Sequence, residues 1–142
     1  MAHEMIRDRR QQIAAAGETF AAEWFVRSGH VLVERNWRCG RFGEIDLIFK
    51  RGNCLVFVEV KTRRLCTGSK GFADYGFDAI NWSKRRKILI AARSYIARNC
   101  RYVPGYQCDA ALVTYESLNV AENKVVLGGL HILHVPSAFD SV

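Results

Sequence analysis

The chain has 142 residues, of which 49% are hydrophobic and 25% charged. This length suits one domain with its own core and is too short for two, and the apolar content excludes a chain that is disordered throughout. Lysine and arginine outnumber aspartate and glutamate by 21 to 14, and the resulting net charge of +7 favours a nucleic-acid partner, although it also suits a basic enzyme.

The sequence argues against a membrane span, a disulfide framework and a zinc site. The longest apolar run, Val125 to Val135, is too short to span a membrane, so we expect a cytoplasmic protein with no membrane contact. The five cysteines are odd in number and form no CxxC pair, which predicts reduced thiols. His131 and His134 lie three apart in a predicted strand, so they face opposite sides and cannot share one metal ion.

The first half of the chain predicts a helix followed by a strand. Apolar residues recur at helical spacing from Ile13 to Ser28, and Gly29 follows as a C-terminal cap. Residues 1–12 are expected to be a frayed or flexible extension. The segment HVLVERNW alternates and is β-branched, which predicts a strand that leads into a turn over residues 38–43.

The second half predicts a hairpin, a helix and two closing strands. GEIDLIFKRGNCLVFVEVKTR, residues 43–63, reads as a hairpin turning at residues 51–53, and a mobile loop is expected over residues 65–78. Asp78 is a predicted cap for a helix ending near Asn99, and strands follow at residues 107–116 and 125–135. The predicted fold is a single α/β domain over residues 1–142, a mixed sheet flanked by helices in the order α-β-β-β-α-β-β.

Three charged residues stand inside the otherwise apolar hairpin. If Gly52 and Asn53 are the central turn residues, Asp46 lies opposite Glu59, and Lys61 shares that face and lies opposite Glu44. The same register places Ile45, Leu47, Val58 and Val60 on the other face.

Two facing carboxylates in a partly buried place need a cation or a shared proton. Mg²⁺ suits the arrangement, because it accepts one or two carboxylates together with water and phosphate oxygens. A lysine beside that ion could orient the attacking water, which is the chemistry of phosphodiester hydrolysis. The alternative is two cross-strand salt bridges on a solvated face.

GEIDLI and, after a spacer, VFVEVKTR resemble the YraN family of predicted endonucleases, a branch of the PD-(D/E)XK nuclease-like superfamily related to archaeal Holliday junction resolvases. The similarity extends from AGETFAAEWFVRSGHVLVERNWR through DAINWSKRRKILIAARSYI to HVPSAF. The resemblance implies a restriction-endonuclease-like core and catalytic Asp46, Glu59 and Lys61. It also implies that Glu18 joins Asp46 and Glu59 in binding Mg²⁺ or Mn²⁺. Gln107 and Cys108 replace the arginine and apolar residue that the family usually has before its late aspartate, here Asp109.

Two further sets of residues are assigned more generally. Glu44 is expected either to bind the metal or to hold Lys61 in place, and we favour the second, supporting role. Basic residues flank the acidic patch in sequence and predict contacts with nucleic-acid phosphates, although charge runs are often only solvated faces. They are Arg38, Arg41, Arg63, Arg64, Lys84, Arg85, Arg86 and Lys87.

Three functions remain open from the sequence. The first is a metal-dependent endonuclease acting on DNA, with branched DNA indicated only by the analogy with resolvases. The second is a nucleic-acid-binding module that keeps the fold without turnover, and the third is a scaffold whose acidic hairpin is structural. A homodimer is expected if the analogy with resolvases holds, because a junction presents two strands to cut.

Overall fold

The computed structural model describes residues 2–65, 82–102 and 105–139. The predicted mobile loop from residue 66 onward and the predicted cap at Asp78 lie outside these ranges. Within them the elements are α1 (Ala2–Arg27), β1 (Val31–Arg38), a 3₁₀ turn (Gly40–Phe42), β2 (Glu44–Arg51), β3 (Cys54–Arg64), α2 (Trp82–Asn99), β4 (Gly105–Tyr115), β5 (Ser117–Ala121), β6 (Lys124–Gly128) and β7 (His131–Val135).

Five of these strands form one mixed sheet in the order β1-β2-β3-β4-β7. β3 and β4 run parallel, whereas the other neighbours are antiparallel. Parallel neighbours need a long crossover, and the segment between β3 and β4 contains α2. The predicted α/β class, a mixed sheet flanked by helices, is confirmed, and the arrangement is consistent with a restriction-endonuclease-like core.

The two helices cover opposite faces of the sheet. Ala21, Ala22 and Phe25 of α1 pack with one set of strand residues that includes Leu47, whereas α2 packs on the set that includes Phe57. The central strands are therefore apolar on both faces, which explains the nearly continuous apolar runs of the hairpin.

α1 begins earlier than its apolar pattern predicts. The pattern starts at Ile13, but the helix already begins at Ala2. Residues 2–12 contain neither glycine nor proline, so nothing in their backbone interrupts the helix. Residues 2–4 and 8–12, whose exposure the structure describes, are all exposed, so this part of the helix does not require an apolar period.

Of the two predicted closing strands, the first is confirmed as β4, whereas the second is wrong as a single strand. The run from Val125 to Val135 is divided between β6 and β7, and Gly129 between them has a φ of +62° that ends the first strand. β5 and β6 form a separate two-stranded sheet. Their turn residues, Glu122 and Asn123, both have positive φ, as a tight two-residue hairpin requires.

No helix within the described ranges is long and apolar enough to cross a membrane. Four cysteines lie in those ranges, and Cys39, Cys54, Cys100 and Cys108 are all free thiols.

Asp109 ties the end of the chain to the sheet. Its fully buried carboxylate accepts hydrogen bonds from Gln107 Nε2 at 2.9 Å and from the backbone N–H of Ser137 at 2.8 Å, and it lies 2.7 Å from His134 Nε2. Phe139, two residues beyond Ser137, is buried in the α2-side cluster. Asp109 therefore joins β4, β7 and the segment after β7, and Gln107 contributes to this anchor.

We expect Asp109→Ala to lower the free energy of unfolding by about 3–5 kcal/mol, because it removes a fully buried acceptor that three groups share and breaks its contact with His134. Urea denaturation would measure the loss. Glu116→Ala is the matched control, since Glu116 is an exposed acid at the end of the same strand and should change stability by less than about 1 kcal/mol. Equal effects of the two changes would contradict an anchoring role.

Candidate active site

A cleft of about 370 Å³ opens between α1, the beginning of β2, the later part of β3 and the beginning of α2. We call it the acidic cleft because it is lined by carboxylates from three elements. Its charged lining residues are Glu18, Glu44, Asp46, Glu59, Lys61 and Lys87. The structure therefore brings the five predicted catalytic, metal-binding and supporting residues into one place and adds Lys87 from α2.

The predicted hairpin register is confirmed from Arg51–Cys54 to Leu47–Val58. The backbone pairing of β2 and β3 ends there, so Asp46 and Glu59 are not paired as the extrapolated register predicts. Instead, Asp46 Oδ2 accepts a hydrogen bond from the N–H of Val60 at 2.8 Å. Asp46 thus replaces a backbone acceptor at the point where the two strands part.

The predicted face of the sheet is wrong for Ile45 of β2. Ile45 packs with Ile48 and Phe57 on the α2 side of the sheet, whereas Leu47, Val58 and Val60 lie on the α1 side. Strict alternation therefore fails around Asp46. In the neighbouring strand the pairing passes from Arg35–Leu47 to Trp37–Ile45, and Asn36 between them has a φ of +52°. Asp46 itself lines the cleft, so the break in alternation lies at the candidate site.

Among the described residues of the cleft, Asp46 has the most strongly shifted pKa. The residue is only 9% exposed. Burial, reinforced by the negative charges of Glu59, Glu18 and Glu44, raises the pKa of Asp46 to about 8, although the hydrogen bond from Val60 opposes the rise. Without a cation this carboxyl group is therefore mostly protonated at neutral pH, and a cation nearby would restore its charge.

The other three carboxylates each have a basic neighbour. Glu59 Oε1 lies 3.7 Å from Lys61 Nζ, and Glu44 Oε2 lies 3.3 Å from Arg38 Nε. Glu44 therefore contacts Arg38, and an ion pair between Glu44 and Lys61, its expected role, is not formed.

Glu18 is held from the edge strand. Its Oε2 lies 3.8 Å from Arg35 Nη2, and the same guanidinium donates to Thr19 Oγ1 at 3.3 Å. Burial raises the pKa of Glu18, and the charge of Arg35 partly offsets that rise. Arg35 is a functional candidate that sequence reasoning missed, and no motif marks it, because its contact with Glu18 depends on how α1 packs beside β1.

The carboxylates do not form a ready-made cluster for a metal. Within the described ranges, no three His, Cys, Asp or Glu side chains are arranged to hold a metal ion. However, Mg²⁺ often uses one or two carboxylates and keeps several waters. Asp46 and Glu59 supply the required oxygen donors, and Asp46 is buried without a compensating cation among the described residues. The donor chemistry of the acidic cleft therefore fits a hydrated divalent ion.

The predicted phosphate-binding residues are divided between described and undescribed side chains. Lys87 lines the acidic cleft itself. Arg38 and Arg41 lie just before β2, and Arg63 and Arg64 lie at the end of β3. All four residues are exposed. Lys84, Arg85 and Arg86 belong to the first turns of α2, but their side chains lie outside what the structure describes.

The fold and the acidic cleft define an α/β protein with restriction-endonuclease-like architecture. The chain belongs to the family described as "Uncharacterised protein family UPF0102", whose model matches residues 17–113 and which is the YraN family indicated by the sequence motifs. A relative from Nitrosospira multiformis is 47% identical over 95 residues, which is 66% of this chain and 73% of the relative.

Other relatives cover more of the chain. A protein of Clostridium botulinum (strain 657 / Type Ba4) is 37% identical over 116 residues, 77% of this chain and 85% of the relative. One from Rhodococcus jostii is 40% identical over 102 residues, 71% of this chain and 80% of the relative. All three are named only as UPF0102 proteins, so their names give the family and state no activity.

Proposed function

We propose that this protein is a divalent-metal-dependent endonuclease that hydrolyses DNA phosphodiester bonds. The observation that carries the proposal is Asp46, a buried carboxylate that has three other carboxylates around it and no cation beside it among the described residues. Such an arrangement costs stability in the metal-free fold. A purely structural salt-bridge patch would place a basic group beside Asp46, whereas a metal-binding nuclease needs that position for its ion.

Asp46 and Glu59, with Glu18 from α1, are the residues that would hold Mg²⁺ or Mn²⁺. A bound ion of this kind supplies polarisation of a phosphoryl oxygen and stabilises negative charge on the phosphate. Lys61 is placed 3.7 Å from Glu59, where its ammonium group can orient an attacking water and donate to a phosphate oxygen. Arg35 and Arg38 restrain Glu18 and Glu44 at the sides of the acidic cleft.

A DNA partner is supported by the charges around the acidic cleft. A nuclease must offset the repulsion between its carboxylates and the phosphate backbone. The net charge of +7 and the exposed Arg41, Arg63 and Arg64 provide that compensation. The reduced thiols suit a cytoplasmic protein acting on DNA, and paired cutting of a branched substrate would require two copies of the chain.

A non-catalytic nucleic-acid-binding module is the second candidate. It is favoured by two observations: Glu18, Glu44 and Glu59 are each near a basic side chain, and the described residues contain no ready-made metal cluster. A module of this kind would bind DNA equally well with and without a divalent ion.

The proposal is tested by incubating the purified protein with end-labelled single-stranded, duplex, flap and four-way-junction DNA in Mg²⁺, Mn²⁺ or EDTA. We expect cleavage of at least one substrate that requires the metal and is lost in Asp46→Asn. Asparagine keeps an acceptor for the Val60 N–H, so the variant should stay folded. A shifted but uncut substrate in every metal would support the binding module, and cleavage by Asp46→Asn at the wild-type rate would refute the assigned site.

A further inference from the structure

The charges that line the acidic cleft divide into paired and unpaired groups. Three carboxylates have basic neighbours in the pairs Glu18–Arg35, Glu44–Arg38 and Glu59–Lys61. Two charged residues are left over. Asp46 has only the N–H of Val60 as a close partner, and Lys87 makes no hydrogen bond or ion pair within the described part of the chain. Among the described side chains of the cleft, one carboxyl group and one ammonium group are therefore uncompensated.

The position of Lys87 is set by packing. The next residue, Ile88, is buried in the core under α2. The stem of Lys87 runs over Gly43, where an added Cβ would lie 3.8 Å from Lys87 Cβ and 4.0 Å from Cδ. Gly43 has a φ of +102°, a conformation that favours glycine and lets the beginning of β2 approach α2. Packing therefore restrains the backbone and the stem of Lys87, whereas the residue as a whole is exposed.

The two unpaired groups stand on different elements around one opening. Asp46 comes from β2 in the sheet, and Lys87 comes from the helix that covers it. Among the described side chains, a divalent cation on Asp46 would leave the ammonium group of Lys87 available for an anion in the same cleft. A phosphodiester has the complementary chemistry, since one non-bridging oxygen can face the cation and the other can accept from the lysine.

We propose that Lys87 is a catalytic residue that binds a non-bridging oxygen of the reacting phosphodiester. This inference rests on the proposed function and deepens it by assigning a second lysine to the reaction. Lys61 is close to Glu59 and suits the orientation of water, whereas Lys87 stabilises the charge that develops on the phosphate. Arg63 and Arg64, at the exposed end of β3, are assigned instead to contacts with the flanking phosphates of the DNA, which we call the phosphate track.

Contact with the reacting phosphate and contact with flanking phosphates predict different kinetics. A contact that strengthens in the transition state lowers the rate constant at saturating DNA when it is removed. A track contact weakens binding and reduces the salt dependence of affinity by about one unit of slope, without changing that rate constant.

Lys87→Met removes the charge and keeps an unbranched stem over Gly43. We expect the single-turnover rate constant at saturating DNA in Mg²⁺ to fall about 10²–10³-fold, while DNA affinity in Ca²⁺ falls by no more than about 10-fold. Lys87→Arg should restore part of the rate. Lys50→Met is the matched control, because Lys50 is an exposed lysine near the hairpin turn at the other end of β2, and we expect no change in the rate. A normal rate constant with weakened binding in Lys87→Met would overturn the inference.

A second measurement does not depend on cleavage. Inorganic phosphate is titrated by NMR into ¹⁵N-labelled protein with Ca²⁺ present, following the amides around Lys87 and Gly43. We expect saturable shifts in the wild type and in Lys50→Met, and at least about 10-fold weaker binding in Lys87→Met. If the wild type cuts no DNA, the proposed function fails, but the titration still decides the role of Lys87. Phosphate affinity that is undetectable in the wild type, or equal in the wild type and Lys87→Met, overturns the inference.

Discussion

Replacing Asp46 with asparagine is expected to stabilise the metal-free protein at alkaline pH and to abolish its stabilisation by divalent cations. In the folded wild type, burial and the neighbouring carboxylates raise the pKa of Asp46 from an ordinary 3.8 to about 8. Asparagine keeps the shape and the acceptor for the Val60 N–H but has no charge to desolvate. The substitution therefore removes the electrostatic cost and the metal anchor together.

The sign of the pH dependence follows from the direction of this shift. Between pH 4 and pH 8 the folded protein keeps a proton on Asp46 that the unfolded chain has released. Raising the pH through this window therefore lowers the stability of the wild type, and the loss is complete above about pH 8. At pH 9 in EDTA we expect Asp46→Asn to be more stable than the wild type by on the order of 2–5 kcal/mol, or roughly 5–15 °C in Tm.

Thermal unfolding of both proteins from pH 5 to pH 9, with EDTA or Mn²⁺, would measure these effects. Mn²⁺ at about 100 times its Kd should stabilise the wild type by about 2.7 kcal/mol and leave Asp46→Asn unchanged. Glu23→Gln is the control, since it makes the same chemical change at an exposed position of α1. Parallel pH profiles for the wild type and Asp46→Asn, or equal stabilisation of both by Mn²⁺, would show that Asp46 is not the anchor.

Lys61→Met is expected to lower the cleavage rate by about 10²–10⁴-fold while DNA binding in Ca²⁺ survives. Lys61 Nζ lies 3.7 Å from Glu59 Oε1, and the side chain is only 23% exposed, so it is restrained beside the proposed metal ligands. Its loss removes a proton donor and a positive charge from the reaction, whereas the exposed arginines still hold the DNA backbone.

Single-turnover cleavage and a Ca²⁺ binding titration separate the two roles of Lys61. Lys124→Met is the control, because Lys124 is an exposed lysine in the β5–β6 hairpin and is not among the residues that line the acidic cleft. Loss of binding and of cleavage by the same factor would reduce Lys61 to a phosphate contact.

The acidic cleft lowers the stability of the metal-free fold. Asp46 costs folding free energy in the absence of metal, and the alternation of β2 fails at the same residue. Local rules of packing are broken at functional sites and compensated elsewhere. Here the compensation comes from the apolar faces of β2 and β3, which are covered by a helix on each side.

The sequence alone determined the helix-flanked sheet, the hairpin register from Leu47–Val58 to Arg51–Cys54 and the family. These depend on short-range signals, namely helical spacing, alternation, a two-residue turn and linear motifs, and each is readable within a few residues of chain. The start of α1 and the division of β6 from β7 were missed, because residues 2–12 have no apolar period and a glycine break can also stand within one strand.

The tertiary structure decided which charged groups meet. Alternation in β2 fails at Asp46, so linear extrapolation placed Ile45 on the wrong face and Asp46 opposite a residue with which it does not pair. Arg35 reaches Glu18, and Lys87 enters the acidic cleft, only because α1 and α2 pack at particular positions against the strands. Ion pairing and burial depend on distances of a few ångströms between elements far apart in sequence, and no local pattern of residues contains those distances.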